Sequence, residues 1–179
     1  MASVNHPTTH GRDIGTDTSA RTRAAQMGRG ALTGEVARYL GAISLVVVGV
    51  IHAQQYYYAY FSVVPTIGTL FVLSFVGSGV VAATLIAPVR RLGRNMADLI
   101  LVLAALSGIG IAAGSLVSLM ISEYTPLFGF MESGYRLAIK LTLIFDSLTA
   151  VLLGVFILSV VRSRRQTAAS AAVRSDDVM

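Results

Sequence analysis

The chain has 179 residues, 54% of them hydrophobic and only 13% charged, with a mean hydropathy of +0.70. A water-soluble domain carries charge on roughly a quarter of its residues, so lipid is the solvent for most of this chain. The absence of cysteine excludes a disulfide framework, a thiolate metal site, an iron–sulfur cluster and a cysteine nucleophile. A net charge of +5 would suit nucleic acid, but the basic residues flank apolar stretches instead of forming a stripe with interleaved aromatics, so no nucleic acid partner is expected.

Residues 1–35 are rich in Thr, Ser, Ala, Gly and Arg and hold almost no large apolar side chains, so the sequence predicts a disordered tail. No apolar segment follows the start as in a signal peptide, and Asp13, Asp17 and Glu35 speak against a transit peptide. His6 and His10 in this tail have a spacing that can bind a metal weakly, but no dedicated metal site is expected. The first apolar span covers about residues 38–55 and ends in the uncharged run YYYAYFSVV. Pro65 opens the second, about 65–86, because a proline's missing N–H has no intrahelical partner in the first turn. Pro88 and the cluster Arg90, Arg91 and Arg94 close it. The third span, about 96–122, is stopped by Pro126 and Gly129, and the fourth, about 135–161, by Arg162, Arg164 and Arg165. Residues 163–179 are polar and read as a second disordered tail. The predicted fold is all-α: an integral membrane four-helix transmembrane bundle with disordered cytoplasmic tails, since four spans of about twenty residues leave no room for another domain.

Orientation follows from arginine and lysine in the short flanks. The N-terminal flank, the connection between spans two and three and the C-terminal flank hold Arg29, Arg38, Arg90, Arg91, Arg94, Arg162, Arg164 and Arg165, whereas the opposite connections hold Arg136, with Lys140 just inside the membrane. Both termini are therefore expected in the cytoplasm. The tyrosines at 56, 57, 58, 60, 124 and 135 then fall at the outer interface, where an amphipathic ring prefers to sit. Thirteen arginines against a single lysine suggest the codon bias of a GC-rich bacterium, which makes its plasma membrane the expected location.

Ionisable residues at membrane depth are expensive and mark the candidate chemistry. Asp146 is the deepest, about eleven residues into span four, or about 16 Å from its outer end. Thr142 and Thr149 lie on its face of the helix and are its expected partners there. Lys140 is six residues away, about 240° around the helix, so it does not face Asp146 directly. His52 and Gln55 share a face near the outer end of span one, Glu123 ends span three, and Glu132 precedes Arg136 by four residues, a spacing that suits an ion pair. Together His52, Gln55, Glu123, Glu132, Arg136, Lys140 and Asp146 form a candidate outward-facing polar pocket between spans one, three and four. The alternative is that the outer members only reach the headgroups, with Arg136 and Lys140 snorkelling, and that a buried pair only fixes helix register. In span three, Gly110, Gly114, Ser118 and Ser122 recur every four residues and are expected to pack a helix closely, within the bundle or against a second copy.

No phosphate-binding glycine loop, HExxH or GxSxG motif is present, so no enzymatic activity is expected. His52 is the only histidine within the spans, and a haem would need Met120 as its second ligand, so no cofactor is expected. A segment of the first hairpin, GVIHAQQYYYAYFSVVPTIGTLFVLSFVGSG, with His52, Gln55, Pro65 and Gly68, resembles small uncharacterised four-helix membrane proteins of actinobacteria. In layout, four spans with both ends inside, the chain resembles the DoxX-like group, which implies a respiratory or redox accessory role. The leading functional reading is an accessory or scaffold subunit of a larger membrane complex, or a homodimer, joined through the small-residue face of span three. The alternative is a binder or carrier of a small molecule in the outer polar pocket.

Overall fold

The computed structural model describes residues 14–58, 65–125 and 137–176, with side chains between residues 28 and 171 apart from those of Arg29 and Glu123. It consists of helices α1 (Ile14–Tyr58), α2 (Pro65–Ile86), α3 (Arg94–Tyr124) and α4 (Leu137–Asp176), with a short 3₁₀ turn at Val89–Leu92. Each helix contains a stretch long and apolar enough to cross a membrane. Even the shortest, α2 with 22 residues, reaches about 33 Å, against a hydrocarbon core of about 30 Å. The chain is a multi-pass α-helical membrane protein. Helices suit such a medium because every backbone group finds its partner within its own segment.

The helices extend further than the spans. Residues 14–35 and 163–176, where the sequence predicts disorder, continue α1 and α4. Alanine and arginine abound in both stretches and are good helix formers. Each stretch also extends a helix that its span has already nucleated, so the unfavourable first turn need not be formed again. Residues 161–171 are exposed throughout, and what ties the stretch to the bundle is a set of polar contacts from Ser163 and Arg164 to α3.

The four helices form an up-and-down ring: α1 packs on α2 and α4, and α3 packs on the same two. The α2–α3 seam is the loosest of the four. The core lies toward the arginine-bearing end, where Leu45 of α1, Leu85 of α2, Leu101 of α3, and Leu153 and Phe156 of α4 are buried among small residues. Ala42, Ala82 and Ala105, all with no more than 1% exposure, let the backbones approach there. Leu153 sits between two glycines: a Cβ added at Gly41 would lie 2.6 Å from its Cδ2, and one at Gly108 would lie 2.7 Å from its Cδ1. Gly49 serves the α1–α2 seam in the same way, since a Cβ there would meet Ser78 Cβ at 3.2 Å and the Phe75 carbonyl at 3.4 Å.

Polar clamps tie this end together. Glu35 of α1 pairs with Arg38 at 2.8 Å and with Arg90 beyond α2, while Arg164 of α4 pairs with Asp98 of α3 at 3.2 Å. Before α3, Gly93 adopts φ +91° and ψ 151°, a conformation essentially confined to glycine. Tyr57, Tyr58 and Tyr124 stand exposed at the opposite end, where α1 and α3 finish. Tyr60 and Tyr135 lie outside the described residues.

Candidate functional site

Several hydroxyl groups in the spans are satisfied locally. Thr69 donates to the carbonyl of Pro65 at 2.7 Å, Thr84 to that of Val80 at 2.9 Å, Ser107 to that of Leu103 at 2.9 Å and Ser122 to that of Leu119 at 2.8 Å. A serine or threonine that bonds back to its own helix in this way can be buried or face lipid without a further partner. Arg38 Nε and Ser78 Oγ are buried without a hydrogen-bond partner, and so is a carboxyl group in α4. Asp146 is fully buried, and neither of its carboxylate oxygens has a hydrogen-bond partner.

Beside it, toward the tyrosine-bearing end, lies a cavity of about 410 Å³ walled by all four helices. Phe71 and Ser74 wall it from α2, Ser115 and Ser118 from α3, and Thr142 from α4. His52 and Gln55 bring the polar groups of α1. Along the loose α2–α3 seam the lining residues Leu70, Leu73, Gly110, Gly114 and Ser118 are all exposed, so the cavity opens sideways, toward the hydrocarbon of the bilayer.

His52 is held at the cavity wall. Its Nδ1 lies 2.8 Å from the Val48 carbonyl, and since a carbonyl oxygen can only accept, Nδ1 carries the proton. In the neutral ring this leaves Nε2 as an acceptor, with the Ser115 hydroxyl 3.4 Å away. The ring also lies 5.3 Å from that of Phe71, tilted by 47°. Ser115 approaches the Asp146 carboxyl as well, without completing a hydrogen bond to it. One serine on α3 thus stands near both the histidine of α1 and the aspartate of α4. An ionised carboxylate at membrane depth costs about 2.5 to 3.5 kcal/mol, so Asp146 either takes up a proton or meets a cation.

The structure brings together only part of the expected pocket. His52 and Gln55 line the cavity, and Asp146 lies one helical turn beyond Thr142, which also lines it. Lys140 does not join them: it is exposed on the outside of α4, as its angular separation from Asp146 requires, with its stem free to carry the ammonium to the interface. The Glu123 side chain, Glu132 and Arg136 lie outside the described residues. The expected partners of Asp146 also differ. Thr149 donates instead to Ser44 Oγ on α1 at 2.9 Å, and Thr142 faces the cavity.

The glycine and serine ladder of α3 does not pack a helix within the bundle. A Cβ added at Gly110 or Gly114 would meet nothing within 4 Å. Residues four apart advance by about 40° on a helix of 3.6 residues per turn, so three steps sweep roughly 120°. Gly110 and Gly114 consequently face the cavity mouth, and only Ser122 turns into the bundle. Among the described residues, the glycines in close contact are Gly34, Gly41, Gly49, Gly77 and Gly108. The seven-residue interval between Gly34 and Gly41, which returns almost to the same face, is the signal that points to two of them. Ser115 has no comparable signal, because a lone serine in an apolar span usually bonds to its own helix.

No family model, curated protein or solved structure matches the chain. Its four membrane-length helices agree with the layout that the DoxX-like resemblance implies, and the agreement ends at layout.

Proposed function

We propose that this membrane protein binds, and in its cellular setting carries, a small and largely apolar molecule in the cavity between its helices, with no covalent chemistry of its own. The observation that carries the reading is a cavity of about 410 Å³ with apolar walls and a few convergent polar groups, His52, Gln55 and Ser115, beside the unpartnered Asp146. Ligand sites of small molecules have this size and character. In this reading the arginine-bearing end faces the cytoplasm of a bacterium, which puts the cavity in the outer half of its plasma membrane.

A second reading, an accessory subunit of a larger complex, is favoured by the exposed Gly110, Gly114 and Ser118, against which a foreign helix finds nothing in its way. Native mass spectrometry of the protein extracted mildly from its own membrane separates the two. A small added mass that is lost in His52→Ala and in Gly114→Leu supports the binder. A protein-sized added mass that is lost in Gly110→Leu and Gly114→Leu, with no small adduct, sinks it in favour of the subunit.

A further inference from the structure

The cavity's electrostatics narrow what it takes. Its polar lining is His52, Gln55 and several hydroxyls, and one acidic group, Asp146, lies just behind that lining, next to Ser115 and one turn beyond Thr142. The two Asp146 oxygens carry no hydrogen bond but are sealed behind the lining, whereas His52, with its Nδ1 proton committed to Val48, offers the lone pair of Nε2 at the cavity wall. The Ser115 hydroxyl between them can turn to either, so it adapts to a donor arriving from the cavity. Among the described residues no arginine or lysine lines the cavity, and Lys140 points away. The charge of Asp146 therefore has no counter-ion from the described protein. A ligand anion would meet the like charge of Asp146 with no lining cation among the described residues to offset it. A hard metal cation would need several oxygen ligands, and among the described residues no three His, Asp or Glu side chains converge.

The rest of the lining is mostly apolar, broken by the hydroxyls of Ser74, Ser118, Ser122 and Thr142, and the mouth faces the bilayer. A ligand that reaches this site travels within the membrane and keeps an apolar part there. From these observations we infer that the cavity receives an amphiphile with a protonated amine headgroup, which enters through the α2–α3 seam between Leu70, Leu73, Gly110 and Gly114 and sets its ammonium against Asp146. This rests on the binding role proposed above and names the class of ligand. The ammonium donates to His52 Nε2 and, once the Ser115 side chain turns aside, to the carboxylate behind it, which removes the uncompensated charge, while the tail lies along Phe71 and Ile111 and out between the two helices.

Three probes of one chain length test the inference on the purified full-length protein in a mild nonionic detergent: dodecylamine, dodecanol and dodecanoate, with retention read by native mass spectrometry. Wild type is expected to retain dodecylamine roughly ten- to a hundredfold more tightly than dodecanol, the range of a charge-assisted bond over a neutral one, and to retain dodecanoate least. Asp146→Asn should bring the amine down to the level of the alcohol, and Asp146→Glu should keep most of the preference. Equal retention of amine and alcohol by wild type, both lost in Gly114→Leu, overturns the ammonium and leaves the binding cavity standing. Amine retention unchanged in Asp146→Asn does the same. Retention of none of the three, or retention unaffected by Gly114→Leu, overturns the cavity reading itself. The comparison within wild type decides the matter even if a variant fails to fold.

Discussion

The hydroxyl of Thr149 donates to Ser44 Oγ across the α1–α4 seam at 2.9 Å, and Ser44 in turn donates to the Phe145 carbonyl at 3.0 Å. Both residues are buried, so this short chain fixes the axial position of α4 against α1 within the apolar bundle. It also uses the donor that Asp146, one turn away, would otherwise claim. Interhelical hydrogen bonds in membranes contribute modestly, because an unfolded chain in lipid finds other partners. Thr149→Val should lower stability by about 0.6 to 1.7 kcal/mol. Ser44→Ala should fall in the same range, and a double-mutant cycle on unfolding in detergent should return a coupling near the lower figure. Additive effects would mean that the two hydroxyls do not act on one another.

The glycines divide into two groups with opposite expected responses. Leu153 is fully buried with Gly41 on one side and Gly108 on the other, so it cannot retreat from a methyl group on one without closing on the other. Gly41→Ala and Gly108→Ala should each destabilise by about 1 to 3 kcal/mol through overpacking. Gly110→Ala and Gly114→Ala add a methyl group to open space and remove helix-weakening glycines, so they should be neutral or stabilising by up to about 1 kcal/mol. Thermal unfolding of the four variants in one detergent tests the division. A drop for Gly110 or Gly114 matching that for Gly108 would mean that the ladder of α3 packs a partner after all.

This division also marks how far the sequence could be read. The spans, the end that gathers the tyrosines and the depth of Asp146 follow from apolar run lengths, proline and arginine positions and residue counting, which need no knowledge of neighbours. The ladder from Gly110 to Ser122 was legible as a pattern but not as a contact. Spacing fixes angles on one helix and is silent on what stands opposite. The arginines were legible as topology signals, whereas the pairing of Arg164 with Asp98, and of Arg90 with Glu35, depends on which helices adjoin. The cavity was only half legible. His52, Gln55 and Asp146 stand out as polar residues in apolar spans, but Ser115 becomes significant only once α1, α3 and α4 meet. Lys140 shows the same limit from the other side: its six-residue separation from Asp146 is plain in the sequence, and that separation carries it out of the pocket.

Gly93 tests the connection that aims α3. Its φ of +91° with ψ of 151° is strained for any residue with a Cβ, although a Cβ there would meet no neighbouring atom. The effect of Gly93→Ala is thus conformational alone, a loss of about 1 to 3 kcal/mol. Since the strain lies between α2 and α3, far from the cavity, ligand retention at a temperature where the variant is folded should match wild type. Unfolding midpoints measured beside retention separate the two effects, and an Ala variant as stable as wild type would contradict the glycine requirement.

Asp146 offers the sharpest contrast between a structural and a functional charge. If its carboxyl served to fix helix register, removing it would weaken the bundle. With both oxygens unpartnered and the side chain fully buried, it instead opposes folding, as an unsatisfied buried polar group does by about 1 to 3 kcal/mol. Asp146→Val, close in volume and without polar atoms, should therefore stabilise the protein by about that amount while lowering dodecylamine retention. Chemical unfolding in detergent, run with and without the amine, tests both halves at once. The amine should raise the stability of wild type by mass action and leave that of the variant nearly unchanged. A destabilised Asp146→Val would point to a partner for the carboxylate within the bundle, and the charge would then hold the helices together.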